Sequence, residues 1–212
     1  MSNYLKLARE ARETNNTEDA KKFYDLARAE DPDCIEARYF YAVYNVEDAI
    51  NRDVPNKFTD YINTANVIVP KLAAAALTDE EKIDLVSTIA KKHVSLCKTI
   101  TNHIYRNSMG EAAIYSTTQR SSAFTQAYNS YEIVGNSIAK AFGGNPEADK
   151  AAVVCWKGII GTTQNSSRYF YTSVSGDKEA SKKKWEEMVK KIKAVDPNFE
   201  VKEPKAFTCG IK

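Results

Sequence analysis

Apolar residues return at steps of three and four along almost the whole chain, and nowhere do β-branched residues alternate with polar ones over the length of a strand. This periodicity predicts an all-α protein. A first helix follows Ser2, a residue type suited to N-capping, and carries Tyr4, Leu7, Ala8 and Ala11 on its inner side before the polar run at 14–17 ends it. A second begins near Thr17, whose hydroxyl can accept from first-turn amides, with Glu18 and Asp19 at the positive end of the helix dipole. Its stripe is Ala20, Phe23, Tyr24 and Ala27. Pro32 cannot continue that helix, and it pushes Asp31 toward extended geometry, so the chain turns there. A third helix over about 33–51 is rich in aromatics: Tyr39, Phe40, Tyr41 and Tyr44.

Pro55 suits the first turn of a fourth helix with Phe58, Tyr61, Ile62 and Ala65 inside, which Pro70 should kink or divide. Thr78 and Glu81 form a capping-box pattern that opens a long helix reaching about Asn107. Ile83, Val86, Ala90, Cys97, Ile100 and Ile104 make a coiled-coil-like seam on it, interrupted only by His93. A sixth helix carries Phe124, Ala127, Tyr131, Val134, Ile138 and Phe142 and stops at Gly143-Gly144. Pro146 starts a seventh with Ala148, Ala152, Cys155, Trp156, Ile159 and Ile160. The last aligns Trp185, Met188, Val189 and Ile192 before Pro197, beyond which residues 197–212 lack periodicity and read as a flexible tail.

Within 1–34 the order of sizes is specific. Small residues stand at 8, 20 and 27, bulky ones at 4, 7 and 24, and proline at 32. On these positions the chain resembles a tetratricopeptide repeat, with one clear unit at 1–34 and a degenerate second at about 35–68, where Tyr41, Ala42 and Phe58 match and Val54 and Tyr61 depart. Tyr4 stands where that family usually has tryptophan, and Ala11 where it usually has tyrosine. The resemblance implies antiparallel helical hairpins in which Ala8 faces Ala20 and Tyr24 fills the space they leave. A single such unit cannot bury its own apolar face, so hairpins over 1–68 should be covered by a long-helix bundle over 69–196, in one fused domain extended into a superhelix or bundle.

Composition narrows the function classes. With 30 basic and 28 acidic residues the formal net charge is +2, which makes no overall case for nucleic acid or an anionic membrane. The most apolar run, Val67–Leu77, is broken by Pro70 and Lys71 and is far short of the roughly 20 residues a spanning helix needs. The start of the chain has no secretory apolar core, and the dispersed cysteines at 34, 97, 155 and 209 encode neither a disulfide framework nor a zinc ribbon. A cytoplasmic location is expected, which discounts the glycosylation tripeptides at Asn15 and Asn165.

No catalytic, cofactor or metal site is expected. His93 and Cys97 share a helix face at metal-pairing spacing, but no further ligand stands at a useful offset. Cys97 and Cys155 have no activating base beyond that histidine. The Gly143-Gly144 loop lacks the lysine and serine of a phosphate loop, Gly158 and Gly161 suit close helix packing, and the lysines at 182–184 alternate with glutamates as a solvated face.

What remains is recognition, by a non-enzymatic scaffold. The resemblance implies a concave face holding a partner's peptide or helix, with Leu5, Arg9, Arg12, Tyr39 and Val43 at its outward positions. Cations beside aromatics suit a segment with an acidic group, since arginine can hold a carboxylate at two points; the competing role for Arg9 is a surface pair with Glu13. Two alternatives stand beside this: self-association through the faces of the long helices as a homodimer, and a small ligand held among residues 162–171.

Overall fold

A computed structural model describes residues 2–51, 53–109, 112–164, 178–204 and 207. The helices are α1 (Asn3–Glu13), α2 (Thr17–Glu30), α3 (Ile35–Asp48), α4 (Val54–Ala74), α5 (Asp79–Arg106), α6 (Thr117–Phe142), α7 (Pro146–Gln164) and α8 (Lys178–Val195), with a 3₁₀ turn at Ala49–Asn51. The fold is all-helical, and no strand occurs among the described residues.

Local chemistry explains the boundaries. Asn16, not Thr17, caps α2: its side chain accepts from the Asp19 N–H at 3.2 Å, while Asn15 makes the preceding turn in the left-handed region at φ 57°. Asparagine accepts at the cap and also tolerates positive φ next to it, which gives Asn15-Asn16 the turn and leaves Thr17 inside the helix. Thr78 with Glu81 and Ser116 with Gln119 form reciprocal capping boxes at the starts of α5 and α6. Pro70 does not divide α4, which continues to Ala74. So near the C-terminal end, the proline interrupts few bonds, and buried Ile68, Val69 and Leu72 hold the last turns to the core.

The chain divides into two compact units, 1–77 and 78–212. In the first, α1 packs on α2, α2 on α3 and α3 on α4. Ala8, Ala20 and Ala27 are all buried. Around the alanines lies an aromatic core: Tyr24 stacks on Phe40 at 5.0 Å and on Tyr44 at 6.0 Å, and Tyr39 meets Phe40 edge-on at 5.2 Å.

The second unit is built on α5, α6 and α7, which all pack against one another, with α8 on α7. The seam of α5 is spent inside this unit: Val86, Ala90, Cys97, Ile100 and Ile104 are fully buried. α6 and α7 cover those positions, while Ile83 at the start of the seam stays half-buried. In the expected tail, Pro204 and Phe207 are buried, Phe207 lying edge-on to Trp185 at 6.2 Å. Lys182 reaches Glu203, and Lys184 reaches Glu132 of α6 at 2.5 Å, so the lysine run bridges elements as well as facing water.

α6 and α7 approach through two glycines. A Cβ on Gly135 would stand 2.7 Å from the Trp156 ring nitrogen and 3.1 Å from the Cys155 Cβ, and one on Gly158 would meet the Tyr131 ring at 3.1 Å. Gly158 thus does what its sequence position suggested, whereas at Gly161 a Cβ would meet nothing within 4 Å. Gly135→Ala and Gly158→Ala are expected to destabilise the unit by about 1–3 kcal/mol each, the cost of overpacking a filled interface. Trp156 and Trp185 are the chain's only tryptophans, so their fluorescence during urea unfolding reads this unit; an unchanged midpoint in both variants would show that the rings yield freely.

Candidate functional site

The five residues expected to face a partner do not form an open surface. Leu5, Tyr39 and Val43 are core residues, 8%, 0% and 0% exposed, and this corrects their outward assignment. Tyr39 spends its hydroxyl on the Tyr61 hydroxyl at 3.1 Å. The stripe of α1 keeps the expected Ala8 and Ala11 but is turned by about half a residue, with Leu5 inward and Tyr4 39% exposed. Arg9 does not pair with Glu13 in an exposed bridge. Its Nε donates to both oxygens of Glu36 at 3.1 and 2.9 Å, and its Nη2 donates to Oε2 at 2.5 Å.

Glu36 decides this rotation. It lies in the first turn of α3 and is only 4% exposed, so its carboxylate needs donors. Besides Arg9, Arg12 Nη1 reaches Oε1 at 3.2 Å and the Tyr24 hydroxyl donates to the same oxygen at 2.9 Å. The Arg12 guanidinium also lies 4.5 Å over the Phe40 ring. Hydrogen bonding to Glu36 raises the Arg9 pKa, and burial, followed by the nearby Glu36 charge, raises that of Tyr24 far beyond the usual phenol range. The cluster is a closed knot tying α1, α2 and α3 together.

The cationic and aromatic character expected of a recognition surface occurs one layer away. Arg38, Tyr41, Ala42 and Asn45 recur at helical steps on α3, and Lys57, Asp60, Tyr61 and Thr64 recur at the same steps on α4. The two stripes, with Arg28 from α2 on one side, line a trough of about 360 Å³. That volume is at the small end of ligand-sized clefts. Its charge is set by Arg28, Arg38 and Lys57 against Asp60.

Each cation has a distinct state. Arg28 lies 4.0 Å over the Tyr41 ring and donates to Asp25 at 2.7 Å, so its guanidinium is already held in place. Among the described residues the Arg38 side chain bonds only the Pro32 carbonyl, at a long 3.4 Å, and Lys57 stands 3.9 Å from Asp60. Such contacts between half-exposed groups are worth little and are readily exchanged for a better partner. Neither the Tyr41 hydroxyl nor the Asn45 amide has a hydrogen-bond partner among the described residues. The trough therefore offers cationic donors, an amide that both donates and accepts, and a phenol.

Sequence reasoning found three of these residues, Tyr41, Ala42 and Tyr61, but assigned them to packing; Tyr41 and Ala42 are half-buried and Tyr61 buried where they line the trough. Arg28, Arg38 and Lys57 gave no signal of their own, since exposed basic residues on a helix are common. Their convergence comes from three different helices.

Buried titratable groups also occur in the second unit. His93 is fully buried, with Nε2 3.2 Å from the Ser130 hydroxyl and Nδ1 3.8 Å from the Cys97 sulfur. Burial drives its pKa down to about 3, opposed by a backbone hydrogen bond at Ser130. Burial raises the Cys97 thiol well above its ordinary value and that of Cys155 to about 12, so both are thiols rather than nucleophilic thiolates. No group of three or more His, Cys, Asp or Glu residues with metal-binding geometry occurs among the described residues. No helix among them is long and apolar enough to cross a membrane. Of the stretch 162–171, Thr162 and Thr163 bond back to their own helix at 2.7 Å, and residues 165–171 lie outside the described residues. Comparison with protein-family models, curated proteins and solved structures finds no match to this chain.

Proposed function

We propose that this chain is a non-enzymatic protein-interaction scaffold whose N-terminal unit, tetratricopeptide-like over 1–34, holds a short acidic segment of a partner in the trough on α3 and α4. The observation that supports it is the juxtaposition of Arg28, Arg38 and Lys57 around Tyr41 and Asn45, whose polar ends have no hydrogen-bond partner among the described residues. The Tyr41 ring holds Arg28 in place before binding, so little side-chain entropy is lost when an anion arrives. Arginine offers a carboxylate two parallel donors, and Asn45 can pair with the N–H and C=O of an extended chain. A cytoplasmic setting goes with this reading, since Cys34, Cys97 and Cys155 are free thiols.

Fluorescence anisotropy with labelled acidic and neutral peptides tests it. Acidic peptides should bind the wild type and weaken with added salt, and Arg38→Glu should lower the affinity at least about tenfold, or about 1.4 kcal/mol. Lys98→Glu, an exposed position on α5, should change little. Equal binding of acidic and neutral peptides, or an Arg38→Glu variant that binds like the wild type, would reject the trough as the site.

A further inference from the structure

The second unit carries a groove of its own, about 660 Å³ in volume, between the N-terminal halves of α5 and α7. On α5 the lining positions Glu80, Asp84, Ser87 and Lys91 recur at steps of four, three and four, and on α7 Glu147, Ala151 and Val154 recur at four and three. Residues at such steps share one helix face, so the groove runs along the helices, over about 16 Å from Glu80 to Lys91 at the helical rise. α6 meets α5 on another face, where His93 reaches Ser130. Among the described residues, the outer side of the α5–α7 pair is thus open as a seat for one more helix.

The floor of the groove is apolar. Ile83 and Val154 are only half-buried and Ala151 is buried, so apolar side chains of an occupant would complete their burial. The rim on the α5 side is acidic: Asp79, Glu80 and Asp84 are exposed, and none has a hydrogen bond or ion pair among the described residues. Asp79 and Glu80 also suit a helix start, but Asp84 stands beyond the first turn, where the dipole no longer favours it. On the α7 side Glu147 and Lys150 pair at 2.6 Å, and Lys91 stands at the other end of the α5 stripe. Four carboxylates against two lysines leave the groove net negative. We infer that the groove between α5 and α7 seats a cationic amphipathic helix of a partner protein, its apolar side chains on Ile83, Ala151 and Val154 and its flanking lysines or arginines against Asp79, Glu80 and Asp84. Such a helix repeats its apolar residues at the three- and four-residue steps of the floor, and its long basic side chains lie along the apolar surface with their charges at the rim. The surface is separate from the trough on α3 and α4 and takes a partner of the opposite charge.

Anisotropy on the full chain tests this with a labelled, acetylated and amidated peptide made of two copies of Leu-Ala-Lys-Leu-Lys-Lys-Ala. It should bind at least about tenfold more tightly than the peptide with glutamate for every lysine, and than an isomer whose leucines are scattered around the helix. Proline in place of the central alanine breaks the helix and should abolish binding. Asp84→Lys, at an exposed position, should lower the affinity at least about fivefold by setting like charges together. Glu13→Lys, the same change of charge at an exposed position on α1, and Arg38→Glu in the trough should leave it unchanged. Equal binding of the lysine and glutamate peptides, or of Asp84→Lys and the wild type, overturns the groove as the site. Equal binding of the scattered isomer removes the apolar floor from the attraction, and undiminished binding of the proline peptide means an extended occupant; either result overturns the helix. If no peptide binds, the inference falls while the trough reading stands on its own test.

Discussion

Replacing Glu36 with alanine is expected to cost the N-terminal unit about 3 kcal/mol, the range in which losing one partner of a buried ion pair falls. The reason is what remains behind. Arg9 and Arg12, 33% and 25% exposed, would keep their charges facing a site that no longer holds a carboxylate, and the Tyr24 hydroxyl would lose its acceptor in the core. Glu36→Gln should recover part of the loss, because the amide oxygen can still accept from Arg9 or Tyr24 but carries no charge. By contrast Glu10→Gln, which removes an exposed 3.9 Å pair with Lys6, should cost under about 0.5 kcal/mol. Hydrogen exchange of the amides of α1 to α3, followed by mass spectrometry, reads the unit directly. Glu36→Ala protection equal to that of Glu10→Gln would mean that the knot contributes nothing to holding the three helices together.

The second large effect is a pH dependence confined to the other unit. His93 has its pKa depressed to about 3 in the folded state, against about 6.5 when unfolded. The unfolded chain therefore takes up the proton first. The stability contributed by neutral His93 is complete above pH 6.5 and is lost as pH falls through the window down to about 3. About 3.5 units of pKa correspond to about 5 kcal/mol over the whole window, and about 2 kcal/mol of that should disappear between pH 7 and pH 5. The groups around the ring supply no counter-charge: the Ser130 hydroxyl, the Cys97 thiol and the Tyr131 ring edge-on at 5.6 Å. Urea unfolding followed by Trp156 and Trp185 fluorescence should show the midpoint falling from pH 7 to pH 5, above the range where ordinary carboxylates titrate. His93→Gln should flatten that slope, having no proton to gain. An identical slope in the variant would assign the acid sensitivity to other groups.

Both effects come from residues that periodicity cannot rank. His93 was legible as an interruption of an apolar seam, and burial with a hydrogen-bonding serine is the ordinary outcome for such a histidine. Glu36 was not legible. A glutamate in a first turn reads as a favourable charge at a helix start, and nothing within reach along the chain marks it as buried; its partners stand 24 to 27 residues earlier on α1 and 12 earlier on α2. That one missed burial displaced the expected binding face, because Arg9 and Arg12 turn inward to meet it. The glycines divide the same way. Gly158 beside a tryptophan and isoleucines suggested close packing, whereas Gly135 gave no local sign that Trp156 would fill the space above it.

By itself the sequence determined the helices: their apolar spacing, the capping boxes at Thr78 and Ser116, the stop at Pro32 and the small residues at 8 and 20 that the first hairpin buries. These are contacts within one or two turns, encoded by neighbours in the chain. Only the tertiary structure decided that Leu5 rather than Tyr4 completes the inner face of α1, that Glu36 is buried with Arg9 and Arg12, and which residues line the trough beside Tyr41. Those outcomes depend on how far each helix rotates about its own axis when it packs, and a rotation of one residue, about 100°, exchanges a core position for a surface one. That angle is set by partners remote in sequence, here above all by a buried carboxylate that must find its arginines.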